Sequence, residues 1–455
     1  MESLAGWLRW LGLVVVVGVM AGGMLSYGYA EHGWERGAAW LACAIAGMAG
    51  LWWLVMERGW RTPAGAFVWV LAALVIWGSV QLVPLPTGAA IALNPALGPL
   101  VEGMRGAGVP LPETMPLAVQ PEDAARSVAQ AVACLCFFVA VASVASRRWV
   151  WLAGLAAGIS ALEGLLGLAS MLLGEGSRAS GAAYNPNHHA ALTLAGLPLL
   201  VALLWNRHKA RAAVDGEGLL SGRDPGLLGV GLGLAATVGW VGGLSRGSLL
   251  LGLPLVVAWL VWEWWRSLDP EREPSGVVQR LLAPTALGLV LAVGLVAATG
   301  ADGFATRFTG NRHDAAYSAS SRPELVAATL KGLAETRFMG LGFHGAEWAI
   351  SRHVPFPTRL DPVYTHNDWV QLPAELGLLG SLLFVAALAY LARQLRRIPS
   401  PLANESRRLR AASWIGLATL LAHAAVDFHL RVPLIGMQAL LLVALVLTPT
   451  PDPVD

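Results

Sequence analysis

Apolar residues run along this chain in stretches of about 20, the length an α-helix needs to cross a hydrocarbon core of about 30 Å. Such stretches lie at 8–28, 37–56, 64–83, 125–145, 149–173, 188–205, 226–244, 247–264, 281–299, 369–392, 411–428 and 433–449. The pattern predicts an all-α polytopic membrane protein, a single membrane domain over 1–455 with about 12 transmembrane helices. The pair either side of Ser245-Arg246-Gly247 needs a tight turn, which the glycines permit, and the arginine there would be costly in lipid. No small-residue cleavage site follows the first run and further spans come after it, so it reads as a retained helix.

Two intervals break the pattern. Residues 84–124 are rich in Pro and Gly and show no strong period. Residues 300–368 are longer. Within them Ser321-Arg322-Pro323-Glu324 reads as a helix start, with Ser321 as N-cap, Pro in the first turn and Glu324 closing a capping box. Leu325, Val326, Thr329, Leu330 and Leu333 then share one face, which predicts an amphipathic helix lying on the bundle. No internal repeat is evident.

Composition agrees. The chain is 56% hydrophobic and 13% charged, about half the charged fraction of a soluble domain. Trp7, Trp10, Trp34, Trp60, Trp149, Trp205, Trp264 and Trp369 fall near the ends of apolar runs, where an indole suits the headgroup interface. The net charge of +2 gives no reason to expect a nucleic-acid partner. The distribution of Lys and Arg sets an orientation. With the N-terminus inside, the inner loops hold Arg58 and Arg61, Arg147 and Arg148, the group from Arg207 to Arg223, that from Arg266 to Arg280, and that from Arg393 to Arg410. This makes 206–225 and 393–410 cytoplasmic loops, and 84–124 and 300–368 outer ones. Cys43, Cys134 and Cys136 sit in apolar runs and read as packing residues.

The unusual polar residues then collect at one membrane face: YNPNHH from Tyr184 to His189, GLSRGSLL from Gly243, THNDWVQLPAELGLLG from Thr365, and HAAVDFHLRVP from His423. Convergent polar groups over an apolar bundle describe a site. These segments resemble the O-antigen ligase and Wzy-type O-antigen polymerase superfamily. That family carries a His, then Asn, Ser or Gln, nine residues, Gly, two residues, then Gly, Thr or Tyr; His366, Asn367, Gly377 and Gly380 fit it. Its Arg-x-x-x-Leu motif is matched by Arg246 and Leu250. NPNH before a helix, Asp427-Phe428, and FMGLGFHGAE from Phe338 are also similar. The likeness extends over about residues 60 to 450.

The resemblance implies a membrane glycosyltransferase of the bacterial inner membrane, multi-pass, with its active site facing the periplasm. The donor would be an undecaprenyl-diphosphate-linked glycan. The acceptor would be lipid A core in a ligase, as in lipopolysaccharide biosynthesis, or a growing glycan in a polymerase; the two are not distinguished. It also implies an inverting, metal-independent reaction with no cofactor. The residues suit that chemistry. Charge grows on the diphosphate as the glycosidic bond breaks, and fork-shaped, always-charged guanidinium groups fit phosphate oxygens. An acceptor hydroxyl must lose a proton near neutral pH, which histidine can accept. His366 is the candidate base, Arg246, Arg322 and Arg431 are candidate diphosphate ligands, and Asn367, Asn185, Asn187, His188 and Asp427 support the site. The bland alternatives are helix capping for His366 through Asn367 and Asp368, capping of the sixth span by Asn185, Asn187 and His188, a headgroup anchor for Arg246 or Arg431, and a solvated first turn for Arg322. His189 reads as structural.

Other motifs carry less. Gly340-x-Gly342-x-x-Gly345 matches a dinucleotide fingerprint only formally, without its flanking strand and helix. Glu31 and Glu35 flank the first loop, but no D-x-D is present; a metal reading would fall on His313, Asp314 and Asp361. Glu163, in mid-span, is a packing residue, a proton relay or a groove lining. A transporter or a non-catalytic scaffold of a polysaccharide assembly system is the competing class. Against a transporter stand the missing repeat and the one-sided polar residues; a scaffold would not need the His and Arg motifs together.

Overall fold

The computed structural model describes residues 2–25, 33–173, 178–183, 185–215, 225–267, 314–354, 363–395 and 404–448. The candidate span 281–299 lies outside them. The side chains of Trp34, Trp264, Arg266, Ser321 and Asp314, and of every residue from 207 to 230, are also outside the description, as are His313 and Asp361.

The chain is all-α apart from one two-residue strand pair. Helices α1 (Glu2–Leu25), α2 (Gly33–Met56) and α3 (Pro63–Val80) come first. The start of α3 is capped by Thr62, whose hydroxyl accepts from Gly65 N at 3.1 Å with Pro63 behind it; a proline at N1 gives up a donor that had no partner anyway. Next come α4 (Thr87–Leu93), α5 (Gly98–Gly106), α6 (Pro121–Leu172), α7 (Pro186–Asp215), α8 (Pro225–Gly242) and α9 (Leu253–Ser267). The chain closes with α10 (Asp314–Glu335), α11 (Ala346–His353), α12 (Asp368–Leu395), α13 (Asn404–His423) and α14 (Pro433–Leu447). Among the described residues four stretches are long and apolar enough to cross a membrane, 63–80, 121–172, 186–206 and 368–395, and shorter apolar stretches occur in α1, α2, α8, α9 and α14.

Helix α6 is the axis of the bundle. Its Phe137, Phe138, Val141, Trp149, Leu152 and Ala156 are buried in one core with residues of α1, α2, α7, α13 and α14. The candidate spans 125–145 and 149–173 are both in α6, which breaks at Arg148 (φ −132°, ψ 40°) with no intervening loop. The Arg148 guanidinium there covers the Trp10 ring at 3.8 Å. Large apolar side chains such as Val14, Leu41, Ile76, Leu382 and Val385 remain exposed around the bundle, as a lipid-facing surface requires.

Three sequence expectations are corrected. Trp149 and Trp205 are buried, not interfacial: Trp149 Nε1 donates to Leu445 O at 2.9 Å, and Trp205 lies under a guanidinium. Helix α10 does not start at Ser321; it runs through it from Asp314 with Pro323 inside. The last candidate span but one, 411–428, begins earlier and ends at His423, because the chain turns to bury Asp427.

Residues 84–124 are also more ordered than their composition suggests. Strand β1 (Leu85–Pro86) pairs antiparallel with β2 (Thr114–Met115). Buried Asn94 donates to Leu117 O at 2.6 Å and caps the next turn at Ala96 N. Helices α4 and α5 pack Ala90, Leu97 and Val101 against Met115, Val119, Leu341 and Ala374. Elements of two turns are too short to display a period. This small cap, extended by residues 338–342 through the bond from Val119 N to Leu341 O, is stitched to α12 where that helix breaks at Gly377 (φ 68°, ψ −164°). Carbonyls freed by the break accept from the cap: Ala374 O from Leu341 N at 3.0 Å and Glu375 O from Gly342 N at 2.9 Å, while Leu378 N donates to Phe338 O at 2.8 Å. The glycines of the formal dinucleotide fingerprint therefore serve close backbone packing.

Candidate active site

The start of α12, the loop between α13 and α14, and the start of α7 meet at one end of the bundle. His366 stands two residues before α12 with its backbone in the left-handed region, φ 55°. A non-glycine residue there costs on the order of 1–3 kcal/mol and persists only where neighbours fix it. Thr365 N donates to Gln371 Oε1 at 2.9 Å, Asn367 Oδ1 accepts from Val370 N at 3.1 Å, and Asp368 N donates to Ala424 O at 2.9 Å. The imidazole is one-third exposed, meets Phe428 edge-on at 4.7 Å, and brings Nδ1 to 3.3 Å from Asp427 Oδ1.

Asp427 is the centre. Its side chain is 2% exposed. Phe428 N donates to Oδ1 at 2.9 Å, His188 Nε2 lies 3.9 Å from Oδ1, and Arg322 Nη2 lies 4.0 Å from Oδ2. Burial alone would push this carboxyl up. The hydrogen bond from His366 and the nearby imidazoles of His188 and His423 outweigh it and hold the group well below the usual carboxylate range. An ionised Asp427 accepting from His366 Nδ1–H leaves Nε2 with a free lone pair.

Of the three candidate arginines, Arg322 is clearly at this centre: Nη1 donates to Val426 O at 2.7 Å and the side chain is 30% exposed. Arg431 is beside it but engaged. Its Nη2 is 2.9 Å from Glu375 Oε2 and its Nε 3.3 Å from Asp368 Oδ1, both on α12. Arg246 opens the helix after the turn at Gly243–Ser245, just before a π turn at Ser248–Gly252. No hydrogen bond or ion pair holds its guanidinium among the described residues, and its neighbours Ser245 and Gly247 touch His423.

At the start of α7 Asn185 holds backbone and Asn187 holds a side chain. Asn185 Oδ1 accepts from Asn187 N at 2.9 Å, and Asn187 Oδ1 accepts from Arg178 Nη2 at 3.1 Å. Arg178 was not foreseen; its Nε also donates to Gly243 O at 2.8 Å, tying α7 to the Arg246 turn. Buried His188 contributes a ring, edge-on to Phe428 at 4.9 Å. Tyr364, also not foreseen, stacks on the other side of the group, 4.3 Å from Phe428 and nearly parallel. Phe428 adjoins the aspartate in the sequence motif, but nothing marked it as the ring on which His188, His366 and Tyr364 converge. His189 is structural, as expected, and settles Glu163 as well. Its Nδ1 is 2.9 Å from Glu163 Oε1 and its Nε2 2.9 Å from Gly239 O, while Glu163 also accepts from Ala182 N and Ala183 N. Glu163 is thus a buried acceptor that pins the segment entering α7. Among the described residues no three His, Cys, Asp or Glu side chains are grouped to hold a metal ion.

The fold and this cluster define an all-α membrane protein with a polar centre at one end of an apolar bundle. Residues 231–385 match the family model described as O-antigen ligase. The matched stretch, about a third of the chain, contains Arg246, Arg322 and His366, and it makes the chain similar to the O-antigen ligase and Wzy superfamily over that region. No curated protein is matched by the chain. A function of the general O-antigen ligase or polymerase type follows, with lipid-linked glycans as its class of partner.

Proposed function

We propose that the protein transfers a glycan from an undecaprenyl-diphosphate-linked donor to a hydroxyl of a sugar acceptor, with inversion and without a metal ion, at the periplasmic face of a bacterial inner membrane. The observation that carries this reading is the contact of His366 Nδ1 with Asp427, whose other oxygen faces Arg322. Asp427 fixes the imidazole tautomer, so Nε2 takes the proton of the acceptor hydroxyl as its oxygen attacks the anomeric carbon. The bond from that carbon to the diphosphate oxygen breaks on the opposite face. The leaving diphosphate carries the charge, and Arg322 and Arg246 stabilise it. The proton on His366 then passes to solvent. Arg431, balanced by Glu375 and Asp368, fastens the last loop to α12 and does not meet the donor.

In this reading 300–368 and 84–124 face the periplasm and 206–225 and 393–410 the cytoplasm. Cysteine probes at Ser351 and Arg147, both exposed, test the sidedness: the first is labelled from outside in intact cells and the second is not. The activity is tested by reconstitution with purified lipid-linked oligosaccharide. Chain lengthening identifies a polymerase and transfer to lipid A core a ligase. Absence of both from a folded, correctly oriented preparation would sink the transferase reading in favour of transport or scaffolding.

A further inference from the structure

The turn that carries Arg246 rests on the last loop through a contact that leaves no space. Gly247 has no side chain, and a Cβ there would stand 2.5 Å from Cδ2 and Nε2 of His423 and 3.0 Å from Cγ2 of Val426. The His423 ring is 2% exposed, packs against His429 at 4.8 Å, and sets Nε2 3.5 Å from Ser245 Oγ. Ser245 Oγ also accepts from Ser248 N at 3.4 Å, at the start of the π turn. Both neighbours of Arg246 in the chain therefore touch one imidazole. The other wall of the contact, Val426, gives its carbonyl to Arg322 and precedes Asp427.

The geometry points to His423 as a positioning residue: its ring seats the Arg246 turn against the loop that holds Arg322 and His366, so that two guanidinium groups reach one diphosphate. This rests on the reading that Arg246 and Arg322 bind the donor diphosphate. Close-packed interiors do not absorb an extra methyl without a shift, and a misplacement of about 1 Å in a binding group is enough to be felt.

The test measures binding of undecaprenyl diphosphate, without glycan, to the full chain in lipid nanodiscs, with thermal unfolding as the check on folding. Gly247→Ala is expected to weaken binding by at least about tenfold. His423→Gln, which can still reach Ser245, binds better than His423→Leu, which cannot; this pair carries the test if Gly247→Ala does not fold. Wild-type affinity in a folded Gly247→Ala protein overturns the inference, and so does equal binding by the Gln and Leu variants. If wild-type protein itself fails to bind undecaprenyl diphosphate, the diphosphate reading falls first and this inference with it.

Discussion

Two buried charged clusters sit at opposite ends of α7 and α13, about 22 Å apart along α13 at ~1.5 Å per residue. At one end Arg408, 2% exposed, is 3.4 Å from Glu263 Oε2, donates to Asn206 Oδ1 at 2.7 Å and lies over Trp205 at 4.5 Å. There a cation meets a carboxylate, an amide oxygen and an indole face, with Trp205 Nε1 itself buried without a hydrogen-bond partner. At the other end Asp427 is ringed by His188, His366, His423 and Arg322, yet His188 Nε2, His423 Nδ1, His429 Nδ1 and Asp427 Oδ2 are buried without a hydrogen-bond partner. Each such atom costs on the order of 1–3 kcal/mol. The Arg408 cluster joins three helices and pairs its buried guanidinium with the Glu263 carboxylate. The Asp427 cluster keeps polar atoms open, as expected where a guest molecule completes the shell.

The sharpest way to break this contrast is at His366. His366→Ala is expected to lower transfer by about 10²–10⁴-fold with folding and donor binding retained, measured as single-turnover transfer in proteoliposomes. His366→Gln separates the roles, since it can hydrogen-bond but cannot take up a proton. Near-normal turnover in the Gln variant would move the base elsewhere. Next is Arg246→Lys, which keeps the charge and loses the planar fork; a fall of about 30- to 1000-fold in rate is expected, equivalent to roughly 2–4 kcal/mol. Equal rates for Lys and Arg would make the residue a headgroup anchor. The smallest effect on transfer belongs to the Arg408 cluster. Arg408→Met takes a buried cation away from Glu263 and Asn206 and should cost about 3–5 kcal/mol of stability, seen as a lower unfolding temperature. Turnover per folded molecule should stay within about twofold, because such a variant touches no reacting group. A specific loss of turnover there would erase the distinction between the two ends.

The all-α character was legible because lipid demands apolar helices and the sequence supplies apolar runs, although α6 and α12 break at Arg148 and Gly377. Of the candidate site, His366, Arg322 and Asp427 could be named from sequence because such residues are unusual at an apolar surface, and the fold brings them together. What stayed hidden depends on distance in three dimensions. Nothing near Arg431 in sequence tells that Asp368 and Glu375 neutralise it, and nothing near Glu163 tells that His189 and two backbone N–H groups receive it. The cap formed by 84–124 was missed for another reason: its order comes from Asn94 and from contacts with residues 341–374, and neither leaves a period.

Gly377 has a consequence for how variation in this protein should be read. Its backbone angles, φ 68° and ψ −164°, lie in a region open essentially to glycine alone, and a Cβ would stand 2.4 Å from Phe338 O and 2.5 Å from Met339 O. Gly340, at φ 97°, packs against it from the cap, where a Cβ would stand 2.6 Å from Gly377 N. A saturation scan scored by survival would therefore rank position 377 with His366 as intolerant, although it has no side chain that could donate, accept or bind. The histidine motif is a composite of chemistry and joinery, and intolerance along it cannot by itself be used to count catalytic residues.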